Sequence, residues 1–316
     1  MSASLIEIAR TFNSFTSAAE KSVLFSTKQN PSTPSSKQLY IANTLVGFVP
    51  PFAIEAFSKS SYFTSTPISI TLVPSLLSYQ QRTHAIASML SAWKSSGLFE
   101  CLKGWRNEQY TVYGSNNEPI VAIERSAIGL FGVRSYGCHL NGYVRTVDAH
   151  HQSTIKMWVA RRSYRKQTNP GMLDNIVGGG LPCGANPTAN IIKESFEEAG
   201  ISSDIASRAI SVGVVSFWQD SSIRGYIPDT EFCYDLELDA SFIPHPADGE
   251  VEEFFLWDLE TVKDHLSKGE FTPEAGLVVV DFLIRHGAVH PLSEPAFLEL
   301  SLLLRREFPF PGPSFV

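Results

Sequence analysis

Hydrophobic residues recur along this chain with two different periods, and the switches between them mark out its elements. Between Tyr79 and Ser95 the apolar positions Ile86, Met89, Leu90 and Trp93 fall at helical spacing, which gathers them on one face of a helix. Two β-rich runs follow, YTVYG from Tyr110 and IVAIER from Ile120, separated by the turn-forming Ser115, Asn116 and Asn117. From Lys156 the signals alternate. MWVARRS predicts a strand, a glycine-rich loop follows at Gly178, and a helix is expected over Pro187–Ala199. VGVVSFW from Val212, FCYDLEL from Phe232 and VEEFFLW from Val251 predict three more strands, and two closing helices are expected around Glu274 to Arg285 and Glu294 to Arg306. Strands interleaved with helices in this order predict an α/β fold, an α/β/α sandwich over a mixed sheet. Residues 1–145 are expected to form a smaller α+β region and 146–316 the layered domain, with Asn30 to Lys37 (NPSTPSSK) a Ser/Pro-rich loop.

The helix over Pro187–Ala199 carries the densest local signals. Asn186 suits the N-cap, Pro187 the first helical position, and Gly200 a left-handed stop. Ile192, Phe196 and Ala199 are expected to form the stripe that packs on the sheet. Glu194, Glu197 and Glu198 stand at i, i+3 and i+4, so they share a face. Three like charges there repel one another, close to the negative end of the helix dipole. A bound divalent cation reverses that cost, and an all-oxygen donor set selects Mg²⁺ or Mn²⁺ over zinc.

Composition narrows the setting. Hydrophobic residues make up 43% and charged residues 18% of 316 positions, the balance of a soluble globular protein, and the net charge is -7. That charge excludes a general attraction to nucleic acid or an anionic membrane, while a local basic pocket can still hold an anion. Arg161, Arg162 and Lys166 are candidates for one. The four cysteines (Cys101, Cys138, Cys183 and Cys233) are far apart, which fits a reduced compartment better than disulfides or a zinc site. The N-terminus lacks a basic region followed by an apolar core, and the longest apolar stretch, from Leu39 to Phe57, is interrupted by Pro50, Pro51 and Glu55. A cytoplasmic protein is expected; the sequence sets no oligomeric state.

The stretch from Gly178 to Ile201, GGGLPCGANPTANIIKESFEEAGI, resembles the Nudix hydrolase signature: Gly, five residues, Glu, seven residues, then Arg-Glu-apolar-x-Glu-Glu-x-Gly-apolar. Gly179 takes the first glycine, and Lys193 to Ile201 takes the final block in register. The resemblance implies that Glu194, Glu197 and Glu198 coordinate magnesium, helped by the Gly179 carbonyl. Three positions depart from it: Ala185 stands at the first glutamate, Lys193 at the arginine and Ser195 at the aliphatic residue. WVARRSYRKQTNPGMLDNIVGGG, GYIPDTEFCYDLEL, DGEVEEFFLW, DFLIRHG and, further upstream, GWRNEQYTVYG resemble a fungal and plant Nudix subgroup over roughly Leu102 to Phe310. That subgroup implies removal of a phosphate from thiamine diphosphate and its oxidised analogues, oxothiamine and oxythiamine diphosphate, as metabolite damage repair. A related fungal segment is fused to thiamine pyrophosphokinase, a domain not expected here.

Within that reading, Glu197, Glu198 or Glu250 is expected to act as general base, and strand alternation places Glu250 and Glu252 on one face. Arg161, Arg162, Lys166 and Arg224 are expected to bind the small-molecule diphosphate, and Trp218, with Phe217 and Tyr226, to stack on its organic ring. His139 and His286 read as structural. The rivals are another Nudix diphosphatase acting on ADP-ribose or coenzyme A, and a Nudix-fold binding protein without catalysis, for which Ala185 speaks. Isopentenyl diphosphate isomerase is discounted, because no matching pattern surrounds Cys183 or Cys233.

Overall fold

The computed structural model describes residues 4–15, 36–147 and 153–315. In the N-terminal region, strands β1 (Lys37–Ile41), β2 (Thr44–Val49), β3 (Phe63–Ser65) and β4 (Ser69–Leu72) form a sheet in the order β2-β1-β4-β3. Strands β5 (Gln109–Tyr113) and β6 (Pro119–Glu124) form an antiparallel hairpin, with Asn117 at φ 63° in its turn. The helix Tyr79–Ser95 forms where its period predicts, capped reciprocally by Ser78 and Gln81, and it buries Ile86, Met89, Leu90 and Trp93. Phe57 is fully buried at the centre of this core, edge-on to Phe63, Trp93 and Phe131.

The layered domain is built on strands β7 (Ser135–Val147), β8 (Ser153–Arg162), β9 (Leu173–Asn175), β10 (Val177–Gly180), β11 (Ile210–Ser221), β12 (Gly225–Glu237) and β13 (Val251–Asp258). They form one seven-stranded sheet in the order β11-β12-β7-β8-β13, with β10 on β7 and β9 on β8. β12 runs parallel to β7 and the other pairs are antiparallel, so the sheet is mixed as expected. The helix Pro187–Ala199 covers one face, over Leu140, Ile176 and Leu236. Helices Leu259–Ser267, Pro273–Arg285 and Phe297–Leu303 cover the other, over Met157, Val215 and Phe217. The fold is the α/β/α sandwich that the alternation predicts.

Several expectations are corrected. The boundary at 145/146 falls inside β7, which enters the large sheet at Ser135. The first residues also belong to the layered domain: the helix Leu5–Phe12 buries Ile6, Ile8 and Ala9 against the closing helices, and Arg10 pairs with Glu299 at 2.7 Å. Short amphipathic helices follow their apolar face rather than chain order. Residues 30–35 of the Ser/Pro-rich stretch lie outside the described residues, and Lys37 already starts β1. On Pro187–Ala199 the buried stripe is Ile191, Ser195 and Ala199, whereas Phe196 is 61% exposed. The helix is therefore rotated from the expected setting, and that rotation carries Glu198 inward.

Because Phe57 is fully buried against three other aromatic rings, Phe57→Ala should lower unfolding free energy by about 3–5 kcal/mol in urea titration. A loss below about 1 kcal/mol would contradict this packing.

Candidate active site

Strand β10 is mostly glycine, and at Gly178 and Gly180 neighbouring side chains come too close to leave room for a Cβ. It pairs with β7, Gly178 opposite His139 and Gly180 opposite Gly137. A Cβ on Gly178 would press into the His139 ring, and one on Gly179 would sit against the Glu194 carboxylate. One on Gly180 would overlap the Tyr110 hydroxyl, which reaches in from the N-terminal hairpin. The carboxylate helix is tied to the same strand. Glu198 accepts a hydrogen bond from the Gly178 N–H at 3.0 Å, and Asn190 donates to the Gly180 carbonyl at 3.3 Å.

Glu194, Glu197, Glu198, Gly179, Lys166, Arg162 and Glu250 all line one cavity of about 310 Å³ beside this strand. Burial pushes the Glu198 carboxyl well above the usual carboxylate range, helped by the charges of Asp174 and Glu194. Burial likewise raises Glu194. Lys193 spans the outer pair, 3.2 Å from Glu194 and 2.6 Å from Glu197. Lys166 pairs with Glu250; burial raises that carboxyl but is outweighed by Lys166, so it lies below the usual range.

Among the described residues no three carboxylate, histidine or cysteine groups are gathered into a ready metal cage. The donor chemistry nevertheless fits a hard divalent cation. Two carboxylates are destabilised by burial, the Gly179 backbone stands beside one of them, and Lys193, 60% exposed, is the movable cation that now neutralises the outer pair.

A second cavity of about 320 Å³ adjoins the first. The two share Arg106, Arg125, Arg162 and Gly178 to Gly180 among their lining residues, so three guanidiniums stand at the boundary between them. Arg162 pairs with Asp174 at 2.7 Å and Arg125 with Glu108 at 3.0 Å. Arg106 forms no ion pair among the described residues; its side chain donates to Thr168 at 3.4 Å, and burial, together with the charge of Arg125, lowers its pKa. The inner recess is lined further by Arg224, Tyr136, His139, Asp229, Glu231 and Glu274.

Other proposed site residues lie elsewhere. Trp218 is fully buried and stacks on Phe15 at 4.1 Å between rings, with Phe48, Phe308 and Phe310 around it; it is core, not a ring-binding surface. Phe217 is equally buried, and Tyr226 hydrogen-bonds Ser36 at 2.5 Å. Arg161 lines neither cavity, since strand alternation turns it away from Arg162; it pairs with Glu253 at 3.0 Å and donates to the Gly171 carbonyl at 2.9 Å. Glu252 is exposed and lines neither cavity, because the register of β13 on β8 shifts between Val251 and Glu253 and breaks the simple alternation. Ala185 packs at the edge of the core under the carboxylate helix and lines neither cavity. His286 is structural, 3.0 Å from Asp235, whereas His139 lines the recess.

Sequence reasoning passed over Arg125, Tyr110, Asp229 and Glu231. The signal available for the last two is period two: Asp229 and Glu231 alternate on one face of a strand whose neighbours are largely buried.

In this α/β/α sandwich the glycine strand and the carboxylate helix share one cavity. Residues 15–135 match a family described as a domain of unknown function (DUF4743). Nudix hydrolase 20, chloroplastic, of Arabidopsis thaliana is 41% identical over 238 residues, 75% of this chain and 61% of that protein. Nudix hydrolase 24, chloroplastic, from the same plant is 41% identical over 238 residues, 75% of this chain and 62% of its own. The uncharacterized protein YJR142W of Saccharomyces cerevisiae is 42% identical over 223 residues, 66% of this chain and 64% of that protein. This chain belongs to the Nudix hydrolase family. It spans 61–64% of the length of these relatives.

Gly180→Ala should push Tyr110 out of its seat and lower stability by about 1–3 kcal/mol in denaturant titration. Tyr110→Phe in the same chain removes the overlapping hydroxyl and should restore part of that loss; no restoration would show that the two residues do not meet.

Proposed function

We propose that this chain is a Mg²⁺-dependent diphosphatase, with Mn²⁺ an alternative ion, whose substrates are thiamine diphosphate and its oxidised analogues. The observation that carries the proposal is the adjoining pair of cavities: a carboxylate pocket suited to a cation, a boundary held by Arg106, Arg125 and Arg162, and a polar recess beyond it. That sequence of charges suits a diphosphate with an organic group on one end.

Glu194, Glu197, Glu198 and the Gly179 carbonyl would hold the metal, which supplies charge neutralisation of the diphosphate and acidification of a bound water. The chain's own residues do the rest. The guanidiniums of Arg106, Arg125 and Arg162 grip diphosphate oxygens, with the planar, several-donor geometry that arginine offers. Glu250, kept ionised by Lys166, takes a proton from the water that attacks the terminal phosphorus, and Glu197 is the other carboxylate at hand. The bond between that phosphorus and the bridging oxygen breaks. The bridging oxygen leaves on the organic monophosphate, and inorganic phosphate is released.

The rival reading, a Nudix-fold binding protein, rests on Ala185. The position of that residue at the edge of the core, away from both cavities, leaves the carboxylates of the pocket intact and favours catalysis. ADP-ribose and coenzyme A remain the comparison substrates. A reduced, cytoplasmic setting is part of the proposal, supported by four cysteines that are all free.

Glu198→Gln should lower phosphate release by about 100-fold or more while circular dichroism stays native; undiminished release removes Glu198 from the site. Chelation of divalent ions should abolish release, and added Mg²⁺ or Mn²⁺ should restore it. Arg106→Ala should raise KM for the diphosphate by about tenfold with a smaller effect on kcat, since it removes binding common to ground and transition state. An unchanged KM would take Arg106 out of the diphosphate contacts.

A further inference from the structure

The inner recess concentrates polar groups that the fold itself does not satisfy. Seven buried side-chain polar atoms among the described residues lack a hydrogen-bond partner, and four of them belong to residues around this one recess: Ser126 Oγ, Tyr136 Oη, Arg162 Nε and Glu231 Oε2. Leaving such atoms unpaired is costly, so their collection around one cavity marks a place made for a polar ligand.

Its charge selects among polar ligands. Asp229, Glu231 and Glu274 all line the recess, and none forms an ion pair with a lysine or arginine among the described residues. Glu231 is 3% exposed, lies over Gly137 where a Cβ would overlap its carboxylate, and has His139 Nε2 at 3.5 Å. Elsewhere the molecule treats buried carboxylates differently. Asp235 is bound by Arg285 and His286, and Asp281 by Arg285 and Arg305. Glu231 has no such guanidinium, and burial with the nearby charges of Asp229 and Glu274 pushes its carboxyl well above its usual range.

We propose that this recess is the subsite for the organic half of the substrate, and that Glu231, flanked by Asp229 and Glu274, selects organic groups carrying a positive charge or amino donors. The proposal deepens the diphosphatase reading and rests on it. An apolar group would leave the four atoms unpaired, and an anionic group would be opposed by Asp229, Glu231 and Glu274 everywhere but beside the arginines that line the same recess. A cationic ring or an amino-bearing heterocycle satisfies both constraints, while its diphosphate remains at the arginine boundary. Ser126 and Arg125 bring the N-terminal region to the same subsite, so the region matched as a domain of unknown function forms one wall of it.

The test compares two substrates in the full chain with Mg²⁺: thiamine diphosphate, whose organic half is a cation with an amino group, and methyl diphosphate, which lacks an organic half. The ratio of their kcat/KM values should fall at least tenfold in Glu231→Gln. An unchanged ratio, with both substrates still hydrolysed, overturns the subsite while leaving the diphosphatase reading in place. Should that variant not fold, Asp229→Asn carries the same comparison. If the unaltered chain hydrolyses neither diphosphate, the diphosphatase reading fails, and calorimetric binding of thiamine itself then decides the recess. Binding at least tenfold tighter to the unaltered chain than to Glu231→Gln upholds it; equal or absent binding overturns it.

Discussion

Everything at this site depends on how closely other groups approach the bare backbone of Val177–Gly180. Each glycine face is occupied: His139 at Gly178, the Glu194 carboxylate at Gly179, the Tyr110 hydroxyl at Gly180. A Cβ would fit at Gly179 in ordinary contact with Glu194, but at Gly178 and Gly180 it would push away His139 and Tyr110. The long strand β7 and the N-terminal hairpin would then no longer meet the carboxylate helix around one cavity. The hydrogen bond from the Gly178 N–H to Glu198 uses the same closeness, since it fixes a buried carboxylate against backbone instead of water. Folding and function thus impose the same requirement on one strand.

Buried charge falls into two kinds in this molecule, and the contrast separates scaffold from site. Asp235, Asp281, Arg285 and Arg305 form a closed network that joins β12 to the C-terminal segment, each acid answered by a guanidinium. Such a network is satisfied within the fold. Around the glycine strand the pairing is partial instead: Arg162 pairs with Asp174, Arg125 with Glu108, and Lys193 with Glu194 and Glu197, while Glu198, Asp229 and Glu231 have no lysine or arginine partner among the described residues. Carboxylates left without a cation inside the fold are where a ligand has most to add.

What could be read in the sequence followed the range of the interaction. The helix over Pro187–Ala199, with its cap, proline and glycine stop, is a local statement and was legible to the residue. So was Tyr79–Ser95, and so was the α/β/α order, because alternation of elements is written along the chain. The shared cavity of Glu194, Glu197 and Glu198 came from spacing on one helix. The helix's rotation did not, because Ile192 and Phe196 look as apolar as Ile191, and only the sheet beneath decides which of them is buried. Trp218 failed for the same reason in reverse: an aromatic beside a motif is ambiguous until Phe15, Phe48 and Phe310 are seen closing over it. Arg125 and Tyr110 stay silent in sequence because the glycine they approach, Gly180, lies more than fifty residues further along the chain.

That last failure bears on what the N-terminal region is. It has a core of its own, around Phe57, Trp93 and Phe131, and could be taken for an independent appendage. Two facts argue otherwise. A separate aromatic cluster joins Phe48 of its sheet to Trp218 of the large sheet and to Phe310, so the two parts share buried surface. The boundary between the cavities also takes two of its three arginines, Arg106 and Arg125, from this region. A fold stripped of it would keep the carboxylate helix with Arg162, Lys166 and Lys193, and would lose Arg106 and Arg125, two of the five basic side chains that line its cavity. It would also lose Tyr110, Ser126 and Ile128 from the walls of the recess, so the carboxylate pocket would stand without the part of the molecule that encloses its neighbour.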